Sequence, residues 1–200
     1  MKVAILDFGT GNLHSLAKGL DAAGADVGID SDPAAALAAD ALVLPGVGAF
    51  GAACERIAPA VDALRGALLG GKPCLGVCLG MQLLYERSEE GPGQGLGIFS
   101  GSVRRLAADL LPQMGWNDVI PVMADPLFAG LGEPVVYYAN SYVADADDGS
   151  GMIAHTTYAG VRFPAAVRRG SVWGVQFHPE KSGAAGRALL RNWLRAARAA

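Results

Sequence analysis

The sequence has little of what several classes of protein require. Its 200 residues carry 16 lysines and arginines against 19 acidic residues, so the positive excess typical of nucleic-acid-binding surfaces is absent. No apolar run approaches the roughly 20 residues that cross a membrane. The three cysteines are too few, and odd in number, for a secreted disulfide framework. Because the N-terminus also lacks the pattern of a secretory signal, we expect a cytoplasmic protein.

Histidine is equally scarce. His14, His155 and His178 are scattered along the chain, and Cys74 and Cys78 lie across one predicted strand rather than on a helix face. This spacing does not match the ligand pattern of a zinc site, so we expect no metal and no cofactor.

Short apolar runs alternate with helical patterns in the first half of the chain. The predicted strands there are residues 2–7, 25–30, 41–45 and 72–78. After residue 100, short strands separated by Gly, Pro and Asp favour an antiparallel or mixed addition, and residues 183–199 have the pattern of an amphipathic helix. We therefore predict one α/β domain over residues 1–200, an open, mostly parallel or mixed, twisted sheet with helices on both faces.

The stretch KPCLGVCLGMQLL, residues 72–84, places a glycine two residues to either side of Cys78. A strand that turns tightly into a helix strains its corner residue, and side chains at the flanking positions collide there. Gly76 and Gly80 remove that clash. The pattern predicts a nucleophile elbow of the G-x-S-x-G kind with cysteine in place of serine; a buried structural thiol is the alternative.

The segment VWGVQFHPEKS supplies the partners that such a nucleophile needs. Its predicted strand, residues 172–177, ends in His178, and Glu180 follows two residues later. A structural role is the alternative for a histidine at a strand end. Because ligands gather at the carboxyl ends of strands in open α/β sheets, we predict that Cys78, His178 and Glu180 act as nucleophile, base and orienting acid.

Acyl transfer also needs hydrogen-bond donors for an oxyanion. The N–H of Leu79 follows the predicted nucleophile at the start of a helix. The glycine-rich segment LPGVGAFG, residues 44–51, follows a strand, so its backbone can approach a substrate closely.

The segments PGVGAF, GVCLGMQLL and FHPEKS, in this order and spacing, resemble those of the class I (triad) glutamine amidotransferases over essentially the whole chain. The resemblance implies a flavodoxin-like fold and a glutaminase. It further implies that Cys78 attacks the side-chain carboxamide of L-glutamine, that His178 passes a proton to the leaving ammonia, and that Glu180 orients His178. Water then releases glutamate from a thioester.

The resemblance also implies the residues around this triad. The oxyanion donors it implies are Leu79 and, opposite it, Gly46, Val47 and Gly48. The residues it implies for holding glutamine are Gln82, Glu90, Ser141 and Tyr142, for which ordinary exposed polar side chains are the alternative.

Within the family, PQMGWN at residues 112–117 and the lysine–serine after HPE resemble the members that pass ammonia to a (β/α)8-barrel cyclase subunit in a heterodimer. The residues that match segments near the ammonia exit and the partner interface are Asn12, Trp116, Asn117 and Lys181. Two positions depart from the common pattern, since Gln113 and Asn140 stand where histidine is usual. Both keep hydrogen-bonding capacity and remove a titratable group.

Three other functions remain open at this stage. The first is a stand-alone Cys-His hydrolase of similar fold, and the second is the glutaminase subunit of a different synthase. The third is a non-catalytic interaction module that has kept an old fold, although nothing structural demands Cys78, His178 and Glu180 together.

Overall fold

A mixed sheet forms the centre of this computed structural model, which describes residues 1–9, 13–46, 48–145 and 151–200. The strands are β1 (Lys2–Leu6), β2 (Asp26–Asp30), β3 (Ala41–Leu44), β4 (Cys74–Val77), β5 (Arg87–Ser88), β6 (Ser102–Arg105), β7 (Gln113–Asp118), β8 (Ile120–Pro121), β9 (Val135–Asn140), β10 (Tyr142–Asp145), β11 (Met152–Tyr158), β12 (Val161–Arg169) and β13 (Val172–Val175). The α-helices are α1 (Leu13–Ala22), α2 (Pro33–Ala36), α3 (Phe50–Ile57), α4 (Val61–Leu69), α5 (Leu79–Gln82) and α6 (Gly183–Arg198), and short 3-10 helices span Ala58–Ala60, Pro126–Phe128 and Pro179–Lys181.

The strand order of the central sheet is β2-β1-β3-β4-β13-β12-β11-β8. Five neighbouring strands run parallel, namely β2, β1, β3, β4 and β13. The other three, β12, β11 and β8, continue the sheet with antiparallel pairing. Strands β10, β6 and β5 form a second sheet, and β7 pairs with β9 as a two-stranded ribbon. The predicted α/β class with a mixed sheet is confirmed. Several details differ, because β5, β7 and β8 have no counterpart among the predicted strands and β13 ends at Val175 rather than at residue 177.

Helices cover both faces of the central sheet. Along β1, Val3 and Ile5 belong to one buried cluster with α1 and α6, whereas Ala4 and Leu6 belong to another with α3 and α4. Successive strand residues point to opposite faces, so a strand buried on both sides must be apolar throughout. Among the described residues, no helix has both the length and the apolar character needed to cross a bilayer.

The turn from β4 into α5 gives Cys78 a positive φ of 46° with ψ of −104°. A Cβ on Gly76 would lie 2.6 Å from the carbonyl oxygen of Gly80, and one on Gly80 would lie 2.0 Å from the carbonyl oxygen of Leu44. Both distances are far inside van der Waals contact, so only glycine fits at either position. The predicted elbow is confirmed. Glycine is required at position 80 not only by the turn but also because the backbone of β3 passes directly beside it.

We expect Gly80→Ala to lower the free energy of unfolding by about 3 kcal/mol, because its Cβ forces either β3 or the turn to move. Gly66→Ala is the matched control. Gly66 lies in α4 with open space where its Cβ would be, and alanine there gains up to about 1 kcal/mol in helix propensity. Urea unfolding followed by circular dichroism measures both variants, and equal stability would contradict the close contact.

Candidate active site

The order of the strands brings Cys78 and His178 to the same edge of the sheet. Strands β4 and β13 are parallel neighbours, with Val77 opposite Val175, and both candidate residues lie just beyond these strand ends. The N–H of Cys78 donates to the carbonyl oxygen of Val175 at 2.7 Å. The nucleophile candidate is therefore tied to the strand that leads to the histidine.

His178 lies between the sulfur and a carboxylate. Its Nδ1 is 2.8 Å from Oε1 of Glu180, and these two side chains are only 2% and 7% exposed. Nε2 is therefore the nitrogen left to share a hydrogen bond with Cys78. Burial alone lowers the pKa of His178, but the negative charges of Cys78 and Glu180 outweigh this effect and raise the pKa to about 10. A negative charge on Cys78 and the carboxylate of Glu180 thus both favour the imidazolium form of His178.

A cavity of about 330 Å³ opens beside the sulfur. The predicted site residues that line it with Cys78 and His178 are Gly46, Gly48, Leu79, Gln82, Glu90, Ser141, Tyr142 and Lys181. Val47 and Asn12 lie outside the described residues. In the part of the chain that the structure describes, no three His, Cys, Asp or Glu side chains converge as ligands of a metal ion.

Two of the side chains predicted to hold glutamine, those of Gln82 and Glu90, already make hydrogen bonds within the protein. Nε2 of Gln82 donates to the carbonyl oxygen of Tyr142 at 3.1 Å and to Oε1 of Gln176 at 3.3 Å. Oε2 of Glu90 accepts a hydrogen bond from the N–H of Phe50 at 3.0 Å. Since both hydrogens of the Gln82 amide are used, only its oxygen is left to meet a ligand.

The ribbon of β7 and β9 carries two of the residues predicted for a partner interface, Trp116 and Asn117, and Lys181 lies next to it. Trp116 is 59% exposed and packs edge to face on Tyr137, with ring centroids 6.1 Å apart. Nζ of Lys181 lies 5.8 Å from the centroid of the same ring. The side chain of Asn117 instead turns to the sheet, donating to the carbonyl oxygen of Thr157 at 3.0 Å.

A closed ring of hydrogen bonds joins this ribbon to the histidine. The N–H of His178 donates to the carbonyl oxygen of Tyr137 at 2.8 Å, and the N–H of Tyr137 donates to Oγ of Ser182 at 2.9 Å. The hydroxyl of Ser182 completes the ring by donating to the carbonyl oxygen of His178 at 2.6 Å. Any displacement of β9 therefore bears directly on the main chain of His178.

The two departures from the usual family pattern lie opposite each other. Gln113 on β7 and Asn140 on β9 are register partners and are 2% and 5% exposed. Nδ2 of Asn140 donates to the carbonyl oxygen of Tyr142 at 3.2 Å. The side-chain oxygens of both residues have no hydrogen-bond partner among the described residues. The two replacements thus form one buried amide pair, whose Asn140 also borders the cavity.

One residue at the sulfur was not predicted from the sequence. Gln176 is fully buried, and its Nε2 lies 3.4 Å from Sγ of Cys78. The sequence did contain a sign of its role. Gln176 is a lone amide between apolar residues near the end of a buried strand, and a buried polar side chain needs a hydrogen-bond partner.

The sequence model of the family described as glutamine amidotransferase class-I matches residues 4–197. Two curated relatives are both named imidazole glycerol phosphate synthase subunit HisH. The one from Symbiobacterium thermophilum is 47% identical over 199 residues, which are 97% of this chain and 93% of its own length. The one from Methanothermobacter thermautotrophicus is 43% identical over 98% of this chain and 100% of its own.

A solved structure described as a glutamine amidotransferase is 22% identical, with a TM-score of 0.77 over 98% of both chains. At this identity the likeness shows the fold, which is the same mixed α/β arrangement.

We expect a glutamine-mimicking electrophile to label Cys78 well before Cys54 or Cys74. Burial raises the pKa of the Cys54 thiol to about 11 and also raises that of Cys74, so neither forms a thiolate near neutral pH. Cys78 instead lines the cavity beside His178. Mass mapping after partial labelling gives the order of reaction, with denatured protein as the control in which all three thiols react alike. Labelling of Cys54 first would contradict the assignment of the nucleophile.

Proposed function

The chain belongs to the class-I glutamine amidotransferase family, and from this premise we propose that it is the glutaminase subunit of an imidazole glycerol phosphate synthase, an enzyme of histidine biosynthesis. One observation carries the proposal. Cys78, His178 and Glu180 meet at a buried sheet edge beside a cavity, in a chain whose relatives at 43% and 47% identity bear the name of that subunit.

In the proposed reaction the thiolate of Cys78 attacks the side-chain carboxamide carbon of glutamine. The imidazolium of His178 gives its proton to the amine as the C–N bond breaks, and ammonia leaves behind a thioester. His178 then takes a proton from water, whose oxygen attacks the thioester, and the sulfur departs as thiolate while glutamate is released. Glu180, at 2.8 Å, holds the imidazole in the orientation that both steps need.

The negative oxygen formed in each step needs donors of its own. We assign one to the N–H of Leu79, the first residue of α5, and the other to the segment of Gly46, Val47 and Gly48. A donor of this kind is worth on the order of 3 kcal/mol in the transition state.

Glutamine occupies the cavity with its amino-acid end away from the sulfur. Glu90 provides a carboxylate on the cavity wall for the α-ammonium group, and its bond to the N–H of Phe50 fixes that carboxylate. Ser141 and Tyr142 border the same space, and Gln82 contributes its amide oxygen.

The ammonia passes to a partner subunit, for which we propose a (β/α)8-barrel cyclase bound at the β7–β9 ribbon in a heterodimer. Met114 and Trp116 are 67% and 59% exposed on this ribbon, beside the cavity that Lys181 also lines. Large exposed apolar side chains are typical anchors of a protein interface. As part of the proposal we place the enzyme in the cytoplasm, where thiols stay reduced.

Replacing Cys78 by alanine should separate glutamine chemistry from synthase chemistry. We expect glutamine-dependent product formation by the reconstituted complex to fall about a thousandfold or more, because no thioester can form. Ammonium salt at alkaline pH should restore product formation, since free ammonia then reaches the cyclase from solvent. Glutamine use by the Cys78→Ala variant would show that the nucleophile lies elsewhere. Failure of ammonia to rescue a complex that still assembles would contradict the division of labour.

Trp116→Ala should weaken binding of the cyclase about 30-fold, the effect of losing a buried aromatic anchor. Leu69→Ala is the matched control, because Leu69 is also large and half exposed but lies on α4, away from the ribbon. Calorimetric titration measures both affinities, and urea unfolding verifies that both variants are folded. Equal affinities for the two variants would place the interface on another surface.

A further inference from the structure

Gln176 contacts the reacting atom of the site. It follows β13 by one residue, and its main-chain N–H still bonds to the carbonyl oxygen of Ala165 at 2.9 Å, which fixes the backbone. Its side chain is fully buried and brings Nε2 to 3.4 Å from Sγ of Cys78. A buried amide in this position has the sulfur as an acceptor for one of its two N–H groups.

The direction of this hydrogen bond follows from a main-chain carbonyl. The oxygen of Tyr142 can only accept, so Gln82 must turn its NH2 group toward it. The same NH2 group lies 3.3 Å from the Gln176 side chain, which must therefore present its oxygen there. The NH2 group of Gln176 is then left to face the sulfur. The relay from Tyr142 through Gln82 leaves Gln176 a single amide orientation, that of a donor to Cys78.

We propose that Gln176 is a further catalytic residue that donates a hydrogen bond to the thiolate of Cys78, held in that orientation by Gln82. The inference rests on the proposed thiol chemistry. An N–H donor favours the charged sulfur over the neutral thiol, and it acts strongly in a buried site. It serves the reaction twice, because the sulfur is an anion before it attacks the carboxamide and again when it leaves the thioester.

Other titratable or charged groups near the sulfur also influence its ionisation and must stay constant in a test of Gln176. The titratable or charged side chains that share the cavity are His178, Glu90, Tyr142 and Lys181, with Glu180 behind His178. All of them remain in a variant of Gln176, so a change in the behaviour of the sulfur reports the amide.

The test is the pH dependence of Cys78 alkylation by iodoacetamide, measured on the isolated chain by mass mapping. Gln176→Met keeps the length of the side chain and removes the donor. We expect the midpoint of the rise in alkylation rate to move up by about one to two pH units, the effect of a hydrogen bond to an ionised group. The glutaminase kcat/KM of the reconstituted complex should fall roughly 10- to 100-fold, corresponding to the same interaction.

Two further variants keep the test decisive. Gln94→Met is the matched control, because Gln94 is exposed and does not line this cavity, and its alkylation midpoint should match that of the unmodified chain. Gln176→Leu also removes the donor and adds no charge beside the sulfur, so it should raise the midpoint by a similar amount. It also serves if the methionine variant does not fold.

The outcomes separate this inference from the proposed function. An unchanged midpoint and unchanged kcat/KM in a folded Gln176 variant would overturn the inference and leave the function standing. Glutamine turnover by Cys78→Ala would instead overturn the proposed thiol chemistry. The alkylation measurement needs neither glutamine nor the cyclase, so it reports the environment of the sulfur alone.

Discussion

The close approach of the backbone of Gly80 to the carbonyl of Leu44 determines where the sulfur of Cys78, the proposed nucleophile, can lie. With no Cβ between them, α5 begins directly against β3, and the chain leaves β4 within a single strained residue. On the other side of β4, the N–H of Cys78 is bound to β13. The sulfur is thus fixed by both neighbours of its own strand, which allows a residue with positive φ to persist.

The rest of the site follows from the position of β13 in the sheet. This strand lies almost 100 residues after β4 in the chain but pairs with it in parallel, so His178 comes out beside Cys78. Glu180 then needs only the short turn of residues 179–181 to reach Nδ1 of the imidazole. The ring through Ser182 ties the same turn to β9 and so connects the histidine to the exposed ribbon.

The elements that the sequence predicts are those governed by local rules. Apolar runs and helical spacing identify the strands on the parallel side, and the glycines around Cys78 identify the elbow because steric exclusion acts within a few residues. The β7–β9 pairing depends on contacts between distant segments, for which the sequence carries no local signal. For Gln176 the lone amide in a buried strand indicates that a hydrogen-bond partner exists, but not which one. The partners of Gln176 and Gln82 come from separate parts of the chain, so only the fold identifies them. Gln82, which the resemblance assigns to holding substrate, therefore also belongs to a hydrogen-bond network around the proposed nucleophile.

The paired departures at Gln113 and Asn140 show how far a residue-by-residue comparison can mislead. Taken singly, each is a loss of histidine near an active site. In the structure they face each other across one pair of strands, so a change at one alters the volume and hydrogen bonding available to the other. Two buried amides with open carbonyl oxygens leave that wall of the cavity uncharged at every pH, whereas histidines there would gain positive charge as the pH falls. An uncharged wall therefore adds no further positive charge to that of Lys181, which lines the same cavity. The pair is therefore compatible with the triad, and its two members are best regarded as a single structural feature.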